Sequence, residues 1–172
     1  MDLSGWVLAE GDHVAVGGRL HAGLLAPTAD PLLGRSEPFV DLAVPVRPAP
    51  ATDGTVTVTG TWRDSGVDAV SVGPLAGASG FSLAVGTGVR VVARDQGPPK
   101  QRDVDHVLAV LDAEQAGCGL AMTGERPGAD GRPRVVAWVR QVTPALAARL
   151  VDCHPTVLVL DVWIRPGAAP AA

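Results

Sequence analysis

The plainest pattern in the chain runs through residues 55–63, where Thr55, Thr57, Thr59 and Thr61 alternate with Val56, Val58, Gly60 and Trp62. A period of two places the threonines on one face and Val56, Val58 and Trp62 on the other. β-branched residues suit a pleated, half-buried surface, so the stretch predicts an antiparallel strand with a wet threonine face and Trp62 in the core. Asp64-Ser65-Gly66 turns the chain into a second strand at 67–72, completing a hairpin. Upstream, 13–20 and 39–46 read as further strands. The proline-rich stretch 27–38 separates them as a loop, and 49–54 is a turn.

The second half is punctuated in the same way. Residues 89–93 read as a strand and 96–102 as a loop. Residues 106–112 are read as a strand, although Val104, Val107, Leu108 and Leu111 also fit a helical stripe with Asp103 as cap and Gly117 as stop. Residues 118–123 and 134–142 predict a hairpin around the Gly/Pro/Asp loop 125–133. Thr143 as cap and Pro144 at the first helical position open a short helix at 144–151, which His154-Pro155 ends. A last strand at 156–165 carries Leu158, Leu160, Val162 and Ile164 as its core stripe.

Together these elements predict an all-β or β-dominated protein, built as one or two small antiparallel Greek-key barrels or sandwiches with one short helix near 144–151. The expected organisation is a barrel-like module at 1–75, a Gly/Ala/Ser-rich linker at 76–88, a second β-rich module at 89–165 and a flexible tail at 166–172. Two stretches echo each other. Thr55-Val56-Thr57-Val58 leads to Trp62, and Thr156-Val157-Leu158-Val159 leads to Trp163 at the same spacing, as a duplication or chance matching of valine-rich strands would give.

The segment 54–72 (GTVTVTGTWRDSGVDAVSV) resembles the closing strands of an OB-fold barrel, and 11–20 (GDHVAVGGRL) resembles an opening barrel strand. The resemblance implies a small closed barrel. It also implies single-stranded nucleic acid or oligosaccharide as ligand classes.

Composition changes this picture in two ways. Asn and Tyr are absent, Ile164 is the single isoleucine and Lys100 the single lysine. Residues with AT-rich codons are thus depleted together, which points to a GC-rich, bacterial genome. The preference for Arg over Lys therefore carries no functional signal. The net charge of −4 lacks the basic excess of a protein that lives on nucleic acid, which ranks that ligand below a protein partner. No basic-then-apolar leader precedes the first strand. No apolar run approaches the roughly 18 residues of a membrane span, so a cytoplasmic location without membrane partners is expected. Cys118 and Cys153 are too few for a thiolate zinc site and are read as buried, reduced thiols.

Catalytic signatures are missing. Gly77-Ala78-Ser79-Gly80 has the wrong spacing for a nucleophile elbow, Lys100 follows two prolines rather than a phosphate loop, and Gly86-Thr87-Gly88 is better explained by a hairpin. His13 and His21, eight apart on one strand with Asp12 adjacent, would share a face and offer a metal or base–orienter pair. Cys153-His154 is a second candidate pair. Asp103, Asp105, Asp112 and Glu114 read as a solvated acidic edge. No catalytic residue, metal ligand or cofactor is expected.

The most informative cluster is late. Alternation puts Arg134, Val136, Trp138 and Arg140 on one side of their strand, and Asp161, Trp163 and Arg165 on one side of the last. If these strands pair, tryptophan and arginine, the residues most enriched at binding hot spots, share a face. The competing reading packs that face under the 144–151 helix. The expected function is a non-catalytic binding or assembly module that engages another protein or itself through Arg134, Trp138, Arg140, Trp163 and Arg165. An OB-like single-stranded nucleic-acid binder is the alternative, and an enzyme centred on His13/His21 or Cys153/His154 the third class.

Overall fold

A computed structural model describes residues 3–28, 38–76, 98–128 and 131–167. The chain forms two compact units: Leu8–Leu83 with Trp163–Ala172, and Met1–Val7 with Ala84–Val162. Among the described residues no helix is long and apolar enough to cross a membrane. The expected strand at 89–93 and nearly all of the expected linker at 76–88 lie outside the described residues.

The first unit is a closed five-stranded barrel. Its strands are β1 (His13–His21), β2 (Leu24–Ala26), β3 (Val44–Arg47), β4 (Gly54–Arg63) and β5 (Gly66–Pro74), in the order β1-β2-β3-β5-β4. Neighbours run antiparallel except β3 and β5, which are parallel. The alternation seen in sequence drives closure. Val14, Val16, Leu20, Leu25, Val44, Val46, Val58, Trp62 and Val67 all bury inward, each worth roughly 1.5–3 kcal/mol for a Val- or Leu-sized side chain. The threonines of β4 stay on the wetter face. Asp64 and Ser65 have φ of 45° and 58°, which gives the two-residue β4–β5 hairpin the twist its strands require. A register shift between Thr59 and Gly60 marks a bulge in β5 around Val70. Gly60 is required there, because a Cβ would fall on the Asp68 carbonyl and within 2.9 Å of Ala69 Cα.

Residues 39–46 were expected as one strand. The stretch instead begins as a 3-10 turn, Val40–Leu42, and β3 starts only at Val44. Phe39 and Leu42 both bury, and their spacing of three suits a helical turn rather than a pleat. The expected flexible tail is held at its start, where Gly167 N donates to His13 O at 2.7 Å.

The second unit contains α1 (Gln101–Ala113), α2 (Gln115–Cys118), β6 (Leu120–Pro127), β7 (Pro133–Val139), α3 (Pro144–Leu150) and β8 (Leu158–Val162). Its sheet has the order β6-β7-β8, antiparallel then parallel. Parallel neighbours need a crossover, and α3 supplies it. Thr143 Oγ1 accepts from Leu146 N at 3.1 Å, with Pro144 at the start of the helix as its sequence predicts. Val104, Val107 and Leu111 of α1 and Leu146 and Leu150 of α3 join Val135, Ala137, Val139, Leu158, Leu160 and Val162 in one core.

Strands dominate and one small barrel is present, as expected; in this unit one reading is corrected, and the choice between one barrel and two falls to one. Residues 106–112 belong to a helix. The 104/107/111 stripe prevails because Asp103 fixes the first turn, its carboxylate accepting from Lys100 N at 2.7 Å. The unit is a mixed sheet carrying helices, not a second antiparallel barrel or sandwich, because the 144–150 helix joins parallel strands. The two echoing stretches sit in unlike settings: β4 is an antiparallel barrel strand, whereas β8 is parallel and ends at Val162.

Candidate functional site

The five residues singled out from sequence do not form one exposed face. β7 and β8 do pair, but Trp138 lies opposite Asp161 rather than Trp163. Trp138 is buried at 3% exposure, and its indole Nε1 makes no hydrogen bond among the described residues. Arg134 is half-buried on β7 opposite Arg126 of β6. Arg140 is half-buried with its guanidinium over Gly119, where a Cβ would meet Arg140 Cβ at 2.7 Å. Burial pulls its pKa down. Trp163 and half-buried Arg165 fall in the barrel unit. Trp163 is buried, and its Nε1 donates to Gly17 O at 2.8 Å. The alternation was read correctly for Leu158, Leu160 and Val162, which enter the core. Ile164, the last of that stripe, buries too, in the barrel unit, whereas the outward placement of Asp161 and Trp163 fails, since both are buried.

The histidine and cysteine pairs separate as well. His13 and His21 stand at opposite ends of β1, roughly 26 Å apart at strand rise. Asp12 Oδ2 accepts from Ala9 N at 2.8 Å. His21 Nδ1 instead meets Asp53 Oδ2 at 2.8 Å on the surface, and that hydrogen bond, with a second from Ala22 N, pulls the Asp53 pKa down. Burial raises the pKa of both thiols, that of Cys118 to about 11, so neither is a thiolate near neutral pH. Cys153 Sγ lies 3.8 Å from Arg149 O, while His154 Nδ1 engages Thr156. Glu114 pairs with Arg149 at 2.8 Å and Asp105 with Gln101 at 3.1 Å. Among the described residues no three metal-binding side chains cluster.

What the barrel does present is a cleft of about 500 Å³ on its outer face, lined by Arg47, Pro48, Thr61, Arg63, Asp68, Ala69 and Val70. Three strands build it. Outward positions of β4 supply Thr61 and Arg63, and β5 supplies the floor. The end of β3 supplies Arg47 and Pro48. The ladder between β3 and β5 stops at Arg47↔Asp68, since Pro48 has no N–H to continue it. Beyond Asp68, residues 69–74 of β5 pair with β4 on one side and with no described strand on the other. That stretch contains no charged side chain. The bulge turns Val70 outward to 80% exposure beside the cleft.

The cleft walls are held rigidly. Arg47 Nη2 donates to Arg63 O at 2.9 Å and Asp64 O at 3.2 Å, while the Glu10 carboxylate accepts from Asp64 N at 3.1 Å and 3.2 Å. Asp68 reaches Arg47 Nε at 3.6 Å and Arg63 Nε at 4.0 Å. One carboxylate thus stands between two guanidiniums, and the more exposed of these is Arg63 at 61%. Sequence reasoning passed over these residues. The available signal was Val67-Asp68-Ala69-Val70-Ser71-Val72, whose apolar positions do not keep one parity and so announce a bulge. No protein-family model, no curated protein and no solved structure matches this chain.

Proposed function

We propose that this chain is a non-catalytic binding module whose barrel takes up an extended segment of a partner protein along β5. The observation that carries the reading is the uncharged run 69–74, which lacks a described neighbour on one side and holds Val70 at 80% exposure. Free N–H and C=O groups on a strand edge recruit a further strand, and side chains alternating along the incoming segment supply selectivity. Selection of a random peptide display library on the purified chain tests this. Enrichment of ligands that no longer bind the Val70→Asp variant is expected. Enriched ligands that bind that variant unchanged, or no enrichment, would discard it.

The strand order supports an OB-like classification of the barrel, which favours single-stranded nucleic acid as a second reading. Against it, Phe39, Trp62 and Trp163 are buried, and the β1–β2 and β4–β5 turns are only two residues each, Ala22-Gly23 and Asp64-Ser65. Stacking needs exposed aromatic rings. Oligonucleotide binding with a steep salt dependence and quenched tryptophan emission would reverse the ranking.

A further inference from the structure

We infer that the segment taken up on β5 is acidic: an extended stretch whose main chain runs along residues 69–74 and whose glutamate or aspartate side chain meets Arg63. This rests on the edge-binding reading above and adds the chemistry of the occupant. Charge complementarity carries it. The cleft holds two guanidiniums and one carboxylate, a net positive site on a chain whose net charge is −4. Asp68 is shared between them, nearer to Arg47 at 3.6 Å than to Arg63 at 4.0 Å. Arg47 is further committed to two backbone carbonyls of the β4–β5 hairpin. Arg63 therefore keeps most of its donors for an incoming anion, and its planar fork matches a carboxylate.

The apolar half of the cleft fits the same occupant. Pro48 and Val70 flank the point where β3 leaves β5. A strand entering there would set alternate side chains against them, placing an apolar residue by Val70 and a carboxylate by Arg63 on the same side of the segment. A basic segment would set cation against Arg63 and Arg47, which disfavours it.

The test uses two blocked heptapeptides with threonine at the odd positions and valine, X and valine at positions 2, 4 and 6, where X is glutamate in one and lysine in the other, so that valine and the charge share one face of the strand; each is titrated into the full isotope-labelled chain by NMR. The glutamate peptide is expected to shift amides of 46–47, 61–63 and 69–73 saturably, at a dissociation constant on the order of 1 mM or tighter. The lysine peptide should leave them unmoved. Arg63→Glu, at an exposed position, should weaken the glutamate peptide by about fivefold and admit the lysine peptide. Equal binding of both peptides at β5 would overturn the acidic preference while leaving edge binding intact. If neither moves those amides at several times that concentration, both the preference and the edge reading fall.

Discussion

The barrel has two places where a strand outruns its neighbour, and the chain treats them differently. β1 pairs with β2 from Arg19 to His21, and its earlier residues have no described strand partner on that side. Residues 163–167 come back to that stretch: the Trp163 indole donates to Gly17 O at 2.8 Å and Gly167 N to His13 O at 2.7 Å. Both acceptors have the same parity on β1 and so point the same way, away from β4. On β5, residues 69–74 have no such cover among the described residues, and the guards that the stretch carries are the bulge at Val70 and Pro74 rather than a charge. One edge is capped by residues 163–167, and the other has no described strand or loop hydrogen-bonded to it.

The largest expected effect comes from uncapping β1. Trp163→Ala removes a buried aromatic ring and its hydrogen bond, so a loss of about 3–5 kcal/mol is expected in urea unfolding. Hydrogen exchange sharpens the result. The Gly167 amide should lose its protection, whereas outward amides of residues 69–73, expected to exchange freely from the start, should not change. Equal protection on the two edges in the unaltered chain would remove the contrast altogether.

Next in size is the bulge that shapes the β5 edge. Gly60→Ala forces a methyl group against the Asp68 carbonyl, and overpacking of this kind costs about 1–3 kcal/mol. β5 must then shift or lose its extra residue, which would turn Val70 from its outward position. A variant of unchanged stability with unchanged Val70 exposure, read from methyl NMR, would show that the bulge does not depend on Gly60.

Smaller still is the effect of guarding the open edge. Val70 is 80% exposed, so Val70→Asp should alter stability by no more than about 0.5 kcal/mol, as for surface substitutions away from packed features. Binding of an edge ligand should nonetheless fall. A valine that is costly to replace would mean that it packs against something, and the edge would then count as covered.

How much of this was legible in the sequence depends on how local the signal was. The β4 strand, the inward Trp62, the Thr143-Pro144 helix start and the Leu158/Leu160/Val162 stripe were readable because each is set by neighbours within a few residues. Residues 106–112 went astray where a short apolar run satisfies both periods and a cap decides between them. The Trp138/Trp163 pairing failed for a different reason. Parity is meaningful only while a strand lasts, and β8 ends one residue before Trp163. The cleft was hidden because it combines the end of β3 with the end of β4 and the first half of β5, a conjunction created by barrel closure.

The smallest effect concerns the far end of the part of β1 that pairs with β2. At His21 the strand enters the β1–β2 turn, and Asp53 fastens that turn through His21 Nδ1 at 2.8 Å and Ala22 N at 3.2 Å. Both contacts favour the carboxylate, so the folded Asp53 titrates below its ordinary value of 3.8. A depressed folded pKa stabilises the fold above the unfolded value, and the contribution disappears as pH falls through the folded one. His21→Ala should therefore move the Asp53 inflection upward in a carboxyl NMR titration, because the larger of the two contacts is lost. The Ala22 contact remains, so the inflection should stay somewhat below 3.8. An inflection that does not move would transfer the role to the Ala22 amide. The Asp53 side of the turn would then be pinned by the backbone amide alone, with no part played by the histidine that ends β1.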